Sequence, residues 1–148
     1  MNVNNPMAVL RDMAEEKLTE TTCALGAVQQ KLQEAVDQRE QLYLYEQEYH
    51  SSLRQGMVGG MSVADLVNHQ MFILSLNQVV KQHESHVSSC EKVVDKTKDK
   101  WIQKKQRLNA FETLINRREM AQALVESRQE QKLMDEFAQR AGQQREML

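Results

Sequence analysis

Apolar side chains recur at every seventh residue through most of the second half of this sequence. The first series, which we label position a, comprises Ile73, Val80, Val87, Val94, Trp101, Leu108 and Ile115. A more mixed series lies three residues further on, at position d, and comprises Leu76, His83, Cys90, Thr97, Lys104, Phe111, Arg118 and Val125. A sustained seven-residue repeat predicts long α-helices that supercoil left-handedly around a partner helix.

The first half of the sequence carries the same repeat. Its a positions hold Leu18, Leu25, Leu32 and Leu53, and its d positions hold Val28, Ala35, Leu42 and Tyr49. Arg39 and Glu46 interrupt the a series. Aromatic residues make up only 5% of the chain, and the composition leans towards Gln, Glu, Lys, Arg, Leu and Ala. These residues favour helix, and the bias is typical of coiled coils.

One glycine cluster separates the two repeats. Gly56, Gly59 and Gly60 lie within five residues, and no proline follows Pro6. Clustered glycines mark turns, and helices without proline are uninterrupted. We therefore predict three segments: helix one over about 6–54, a turn over 55–62 and helix two over about 63–141.

Local residue patterns support these helix ends. Asn5 before Pro6 combines a capping side chain with a proline suited to the first helical position. Ser62, followed three residues later by Asp65, resembles a capping box at the start of helix two. Gly142 is a candidate for the end of that helix, because glycine often follows the last helical residue.

The predicted fold is an all-α, antiparallel two-helix coiled-coil hairpin that forms one domain over residues 1–148. With a turn near Val58, partner residues have numbers that add up to about 117, so Met7 lies near Ala110. About 30 residues of helix two, roughly 45 Å at 1.5 Å per residue, then lack a partner from their own chain. A dimer of straight helices is the alternative, but its helices would contain the glycine cluster. We therefore predict a monomer.

The charge and hydropathy of the chain argue against a membrane-spanning or a secreted protein. The formal net charge is −2, and no apolar run approaches the roughly 20 residues that cross a bilayer. The first residues show no secretory signal. Cys23 lies at position f and Cys90 at position d, so their side chains point apart and a disulfide is not expected. The sequence therefore predicts a soluble cytoplasmic protein without direct membrane insertion.

Two apolar stripes lie at the same height of the predicted hairpin, close to its turn. They have the same spacing along each helix and consist of Gln38, Leu42, Tyr45 and Tyr49, and of Phe72, Leu76, Val79 and His83. Half of these residues occupy position g, outside the a/d seam, where coiled coils usually carry charges. Clustered exposed aromatic residues are typical of protein interfaces. The alternative is that they widen the core where Arg39 and Glu46 weaken the seam.

A run of cations crosses the middle of helix two: Lys96, Lys98, Lys100, Lys104, Lys105, Arg107, Arg117 and Arg118. It could follow nucleic-acid phosphates, form a solvated flank of the coiled coil, or meet an acidic protein surface. His83 and His86 are three residues apart, unlike the spacing of four in zinc-protease helices, and we predict no metal. Without a cleft or a nucleophile beside a base, we predict no enzyme activity and no cofactor.

Three short segments carry a family resemblance. They are Gln47-Glu48-Tyr49 with Leu53 ahead of the turn, Lys104-Lys105-Gln106-Arg107-Leu108, and the tail Met134-Asp135-Glu136-Phe137-Ala138-Gln139-Arg140-Ala141. With them, nearly the whole chain resembles the FliJ family, a small coiled-coil component of the bacterial flagellar type III export apparatus.

The resemblance implies a function that composition does not show. FliJ-like proteins resemble the central stalk of rotary ATPases. The hairpin end with both termini would insert into the hexameric export ATPase, FliI, and promote its assembly. The turn end would contact the cytoplasmic domain of the export gate protein, FlhA. Further implied partners are export chaperones, and the implied location is the cytoplasm, peripherally at the inner membrane through the export apparatus.

The resemblance also implies two sets of site residues. The implied gate-binding patch comprises Gln38, Leu42, Tyr45, Tyr49, Phe72, Leu76, Val79 and His83. The implied ATPase-binding region comprises Lys104, Lys105, Arg107, Arg117, Arg118, Met134, Phe137, Ala138 and Ala141. The alternative function is a general coiled-coil scaffold or nucleic-acid-binding protein that uses the cationic run, whereas the family implies no nucleic acid.

Overall fold

Two long α-helices make up the protein in the computed structural model, which describes residues 5–147. Helix α1 spans Pro6–Gly59, 54 residues, and helix α2 spans Val63–Glu146, 84 residues. Among the described residues there is no β-strand. The prediction of an all-α hairpin with a longer second helix is confirmed. None of the described helices is apolar enough over a sufficient length to cross a membrane.

Side-chain caps begin both helices. The Met7 backbone N–H donates to Asn5 Oδ1 over 3.1 Å, and the Asp65 backbone N–H donates to Ser62 Oγ over 3.2 Å. Each oxygen satisfies an N–H group that has no partner within its helix, which stabilises a helix by about 1 kcal/mol. The predicted capping roles of Asn5 and Ser62 are thus confirmed.

The turn is shorter than the predicted segment 55–62. Helix α1 continues through Gly59, so residues 60–62 alone separate it from helix α2. Within residues 5–147, Gly60 alone has a positive φ, 84°, a conformation that glycine adopts without a steric penalty. Gly56 is helical, and a methyl group in place of its hydrogen would collide with the end of the Met61 side chain.

Helix α2 also passes its predicted end at about residue 141 and continues through Gly142 to Glu146. Nothing lies within 4 Å of a Cβ atom placed on Gly142. A glycine inside a helix costs only about 1 kcal/mol relative to alanine, so the surrounding helix formers carry α2 through it. Gly142 therefore does not end the helix, and this prediction was wrong.

One compact unit of the chain comprises residues 18–103 and contains the turn. Within it the helices run antiparallel. Trp101 Nε1–H donates to Thr22 Oγ1 over 2.9 Å, and Tyr49 stacks on Phe72. The residue numbers of these pairs add up to 123 and 121, not to about 117. The predicted register was therefore several residues short, because the turn is centred on Met61 and not on Val58.

The seam of this unit follows the predicted a and d positions. The buried side chains are Ala35, Leu76, Val80, Val87 and Val94. Arg39 and Glu46, which interrupt the a series, are half-buried in the same seam. Cys23 is exposed and Cys90 is half-buried, in agreement with their f and d positions, and both are free thiols.

Val87 provides a direct measure of what the seam contributes to stability. It is 2% exposed, whereas Val93, at the g position of the same helix, is 48% exposed. Val87→Ala removes two buried methyl groups and leaves a cavity, so we expect a loss of about 2 kcal/mol in unfolding free energy. Val93→Ala is the control, with an expected loss below about 0.5 kcal/mol. Urea denaturation followed by circular dichroism measures both, and equal losses would contradict the seam assignment.

A second compact unit comprises Met1–Lys17 and Lys104–Leu148. In its described part, Ala14 and Leu108 are buried, and Phe111 and Ile115 are half-buried. From Asn116 to Met147 every residue is exposed. Among the described residues, the unpartnered part of helix α2 thus begins after Ile115 and not after about Ala110, which follows from the shifted register.

Candidate protein-interaction surfaces

Three aromatic rings form a stack across the two helices of the unit that contains the turn. Tyr49 on α1 stacks on Phe72 on α2, with ring centroids 4.3 Å apart and planes 27° apart. Tyr45, one turn earlier on α1, tilts against Tyr49 at 5.5 Å. Tyr45 is 52% exposed and Phe72 is 43% exposed. The stack therefore packs internally and still presents aromatic surface to solvent.

A groove lies beside this stack. It has a volume of about 350 Å³ and is lined by Gln38, Gln41, Leu42, Tyr45 and His83. His83 Nε2–H donates to the carbonyl oxygen of the buried Ala35 over 3.1 Å. This bond links α2 to α1 and fixes the imidazole that lines the groove. Polar amides and an aromatic ring around a small apolar groove suit a protein side chain as occupant.

The eight residues of the implied gate-binding patch divide by exposure. The g positions Gln38, Tyr45, Phe72 and Val79 are exposed, whereas Leu42, Tyr49 and His83 are half-buried and Leu76 is buried. The structure brings Gln38, Leu42, Tyr45 and His83 to the groove and Tyr45, Tyr49 and Phe72 to the stack. Leu76 is mainly a seam residue. The term aromatic patch below denotes Tyr45, Tyr49, Phe72 and the groove.

Gln41 lines the groove although it is not one of the residues predicted for the gate-binding patch. Gln41 lies three residues after Gln38 and four before Tyr45, so helical spacing alone places it on the same side of α1. Gln41 occupies position c, which usually faces solvent, so the heptad pattern does not predict it at the groove.

A polar network joins the two helices through Tyr43 and Glu84, which occupy e positions, on the flank of the seam opposite to the g positions of Tyr45 and Phe72. Tyr43 Oη–H donates to Glu84 Oε1 over 2.7 Å. Arg39 Nη2 pairs with Glu40 Oε1 at 3.2 Å, and its guanidinium carbon lies 5.8 Å from the Tyr43 ring centroid. Arg39 Nε is buried without a hydrogen-bond partner. An arginine at an a position therefore retains one unsatisfied polar atom in the seam.

The hydrogen bond to Glu84 raises the pKa of Tyr43 above its ordinary value of 10.0, with smaller increases from desolvation and from the Glu84 charge. Because the folded state favours the neutral phenol, this contribution to stability is complete below about pH 10. It is lost as pH rises through the folded pKa. We expect Tyr43→Phe to lower the melting temperature slightly at pH 8 and to make no difference at high pH. Thermal melts between pH 8 and 11 test this, and a gap that widens with pH would contradict it.

The residues of the implied ATPase-binding region all lie on α2 in the unit with the chain termini. Lys104 is half-buried, and the remainder of the set is exposed. The Arg107 guanidinium carbon lies 5.9 Å from the Phe111 ring centroid, a cation–π geometry. Phe137 is 74% exposed. Met134, Phe137, Ala138 and Ala141 follow the spacing of one helix face, so the tail presents an uncovered apolar face.

A second cavity, of about 280 Å³, is lined by Val28, Lys31, His86, Ser89, Cys90 and Val93. Cys90 Sγ lies 3.7 Å from His86 Nε2, and the His83 and His86 rings lie 5.6 Å apart. Within residues 5–147, no group of three or more potential metal ligands comes together.

Comparisons with known proteins cover almost the entire chain. The model of the family described as Flagellar FliJ protein matches residues 3–147. The Flagellar FliJ protein of Escherichia coli (strain K12) is 36% identical over 142 residues, which is 96% of this chain and 97% of that protein. The Flagellar FliJ protein of Salmonella typhi matches with the same identity and coverage. No solved structure gave a significant match. The chain belongs to the FliJ family of flagellar proteins.

Proposed function

We propose that this protein is a non-enzymatic component of the flagellar type III export apparatus that connects the export ATPase with the export gate. Membership of the FliJ family supports a role in this apparatus. The observation that carries the finer proposal is the division of exposed apolar surface between two separate units. One unit presents the aromatic patch, and the other presents the uncovered face of the α2 tail.

The aromatic patch is the proposed site for the cytoplasmic domain of the gate protein, FlhA. Exposed tyrosine and phenylalanine side chains beside a groove are typical anchors of a protein interface. The Tyr49–Phe72 stack at 4.3 Å joins both helices, so the anchors are held in place before a partner arrives. Such preorganisation reduces the entropy that binding costs.

The α2 tail is the proposed site for the hexameric ATPase, FliI. Its apolar residues are exposed throughout the described part from Asn116 onward, and a long amphipathic helix is stabilised when a partner covers such a face. A single helix is about 10 Å wide and a pair of helices about 20 Å, so the pore of the proposed ring would need at least these widths along the tail and along the paired region. Insertion of a stalk would promote assembly of the ring. Export chaperones are further proposed partners. The proposed location is the cytoplasmic side of the inner membrane, where flagellum assembly requires the export of flagellar proteins.

The test of the ATPase link is reconstitution of the ring with purified FliI. We expect the full chain to increase ATP hydrolysis at enzyme concentrations too low for spontaneous ring assembly. The double variant Arg117→Glu, Arg118→Glu should weaken this stimulation several-fold at low salt and less at high salt, because exposed charges are screened.

The control for this experiment is Lys98→Glu, Lys100→Glu. These two residues are also exposed and belong to the same cationic run, but they lie outside the proposed ATPase-binding region. We expect this variant to stimulate hydrolysis normally. An equal loss in both double variants would show that only the overall charge of α2 matters, and the assignment of Arg117 and Arg118 would be wrong.

A further inference from the structure

Four aliphatic side chains form an exposed stripe along the first turns of helix α2. We name Val63, Val67, Met71 and Leu74 the tip stripe; their exposed fractions range from 46 to 78%. At about 100° per residue the four lie within about 80° of one another around the helix axis. A stripe of this kind is a coherent helix face and not a set of isolated exposed residues.

The tip stripe is separate from the surfaces described so far. Its members occupy positions b, e and f, whereas the seam uses a and d and Phe72 occupies g. Viewed around the helix axis, Asn68 and Ser75 lie between Phe72 and Met71 on the outward side of α2. Both side chains are small, uncharged and exposed. An uncharged surface therefore runs from the aromatic patch around the outside of the helix to the tip stripe.

Charge is almost absent from this part of the chain. Between Gln55 and Val80 the only Asp, Glu, Lys or Arg is Asp65, whose backbone N–H donates to Ser62 Oγ. At the average charged fraction of 27%, the stretch would carry about seven such residues. Loss of charge together with methionine and aromatic residues is the compositional pattern of the core of a protein interface.

The absence of charge also argues against other partners for the tip stripe. Anionic lipid surfaces and nucleic acids attract lysine and arginine, which this stretch lacks. Four side chains are also far fewer than the 20 to 30 residues per side of a typical stable interface, so the stripe alone cannot hold two copies of this chain together. Its continuity with the aromatic patch indicates an extension of one larger interface.

We propose that the tip stripe is a second contact surface for the export gate, binding an uncharged apolar surface on the gate's cytoplasmic domain. This inference rests on the proposed function of the aromatic patch. Because no charges take part, its contribution to affinity is insensitive to salt, unlike that of the cationic residues on α2.

The test uses the full chain with the double variant Met71→Gln, Leu74→Gln. Glutamine keeps a similar side-chain length and a high helix propensity, so circular dichroism should show unchanged melting. Binding to the purified gate domain, measured by calorimetry, should weaken about tenfold at both about 0.05 M and about 0.5 M NaCl. Ile102→Gln is the matched control, since Ile102 occupies the same b position as Leu74, is 48% exposed and lies outside the tip stripe. We expect no change in its affinity.

The variant Phe72→Ala separates failure of this inference from failure of the proposed function. If Phe72→Ala weakens binding and Met71→Gln, Leu74→Gln does not, the tip-stripe inference is wrong and the aromatic patch stands. If neither changes affinity, the proposed gate site is wrong as well. A loss seen only at low salt would overturn the inference. Two further results would overturn the inference. One is binding of the wild-type chain, but not of the double variant, to neutral or anionic vesicles. The other is dimerisation of the wild-type chain, but not of the double variant, in light scattering.

Discussion

Truncation of the chain after Gln129 should abolish stimulation of the export ATPase. Shortening the chain in this way removes Met134, Phe137, Ala138 and Ala141, the apolar face proposed to contact the ATPase ring. All described residues beyond Ile115 are exposed, so the deletion uncovers no buried surface and should leave the remaining helices folded. We expect stimulation to fall more than about tenfold, which corresponds to more than about 1.4 kcal/mol of coupling.

Two measurements make this result specific. The truncated chain should still bind the gate domain with unchanged affinity, because the aromatic patch lies in the other unit. A full-length variant with Met134→Gln and Phe137→Gln should lose stimulation in the same way, which would assign the effect to the apolar face and not to chain length. A truncated chain that stimulates normally would show that the tail is dispensable, and the proposed ATPase site would have to be abandoned.

The second large effect concerns the aromatic patch. Phe72→Ala or Tyr45→Ala should weaken binding to the gate domain by about 2 kcal/mol or more, roughly 30-fold, as expected for a central aromatic anchor. Both side chains are about half exposed, so we expect little loss of helicity. Phe72→Ala also removes the stack on Tyr49, which adds a modest loss of stability of about 1 kcal/mol.

Val93→Ala is the matched control for Phe72→Ala. Val93 lies three heptads further along α2 at the same g position and is exposed to a similar degree. The affinity of the Val93→Ala variant for the gate domain should not change. If the aromatic variants melt at much lower temperature and bind normally once folded, the rings serve only to widen the core, which was the alternative interpretation of the two stripes.

Periodicity predicted the seam well where the two helices face each other, because there the position within the heptad largely decides burial; the predicted d positions Arg118 and Val125, which no helix of this chain faces, are exposed. Val80, Val87 and Val94 are buried as expected, and even Arg39 and Glu46 lie in the seam at their a positions. The two capping predictions also held, since a cap depends on a few neighbouring residues. These features follow from local chemistry and from a single repeat.

Periodicity alone does not determine which residues form the turn or how the two helices are aligned. Gly56, Gly59 and Gly60 look equivalent in the sequence, but only Gly60 has a positive φ. Choosing the wrong centre moved every predicted pair by several residues without changing which positions are a or d. The groove depends on that register, because it needs His83 beside Leu42 and Tyr45, and so its lining could be predicted only in part.

The buried Nε of Arg39 has a consequence for how the hairpin moves. Leaving a buried donor without a partner costs about 1–3 kcal/mol, and Glu46 adds a second polar group to the seam nearby. Stability is therefore uneven along the unit that contains the turn. Backbone amides of α1 around these two residues should exchange with solvent through local opening, faster than the amides of α2 around Val87 and Val94. The aromatic patch thus lies beside a stretch of α1 that we expect to open more readily than the seam around Val87 and Val94, and a bound partner would slow that exchange.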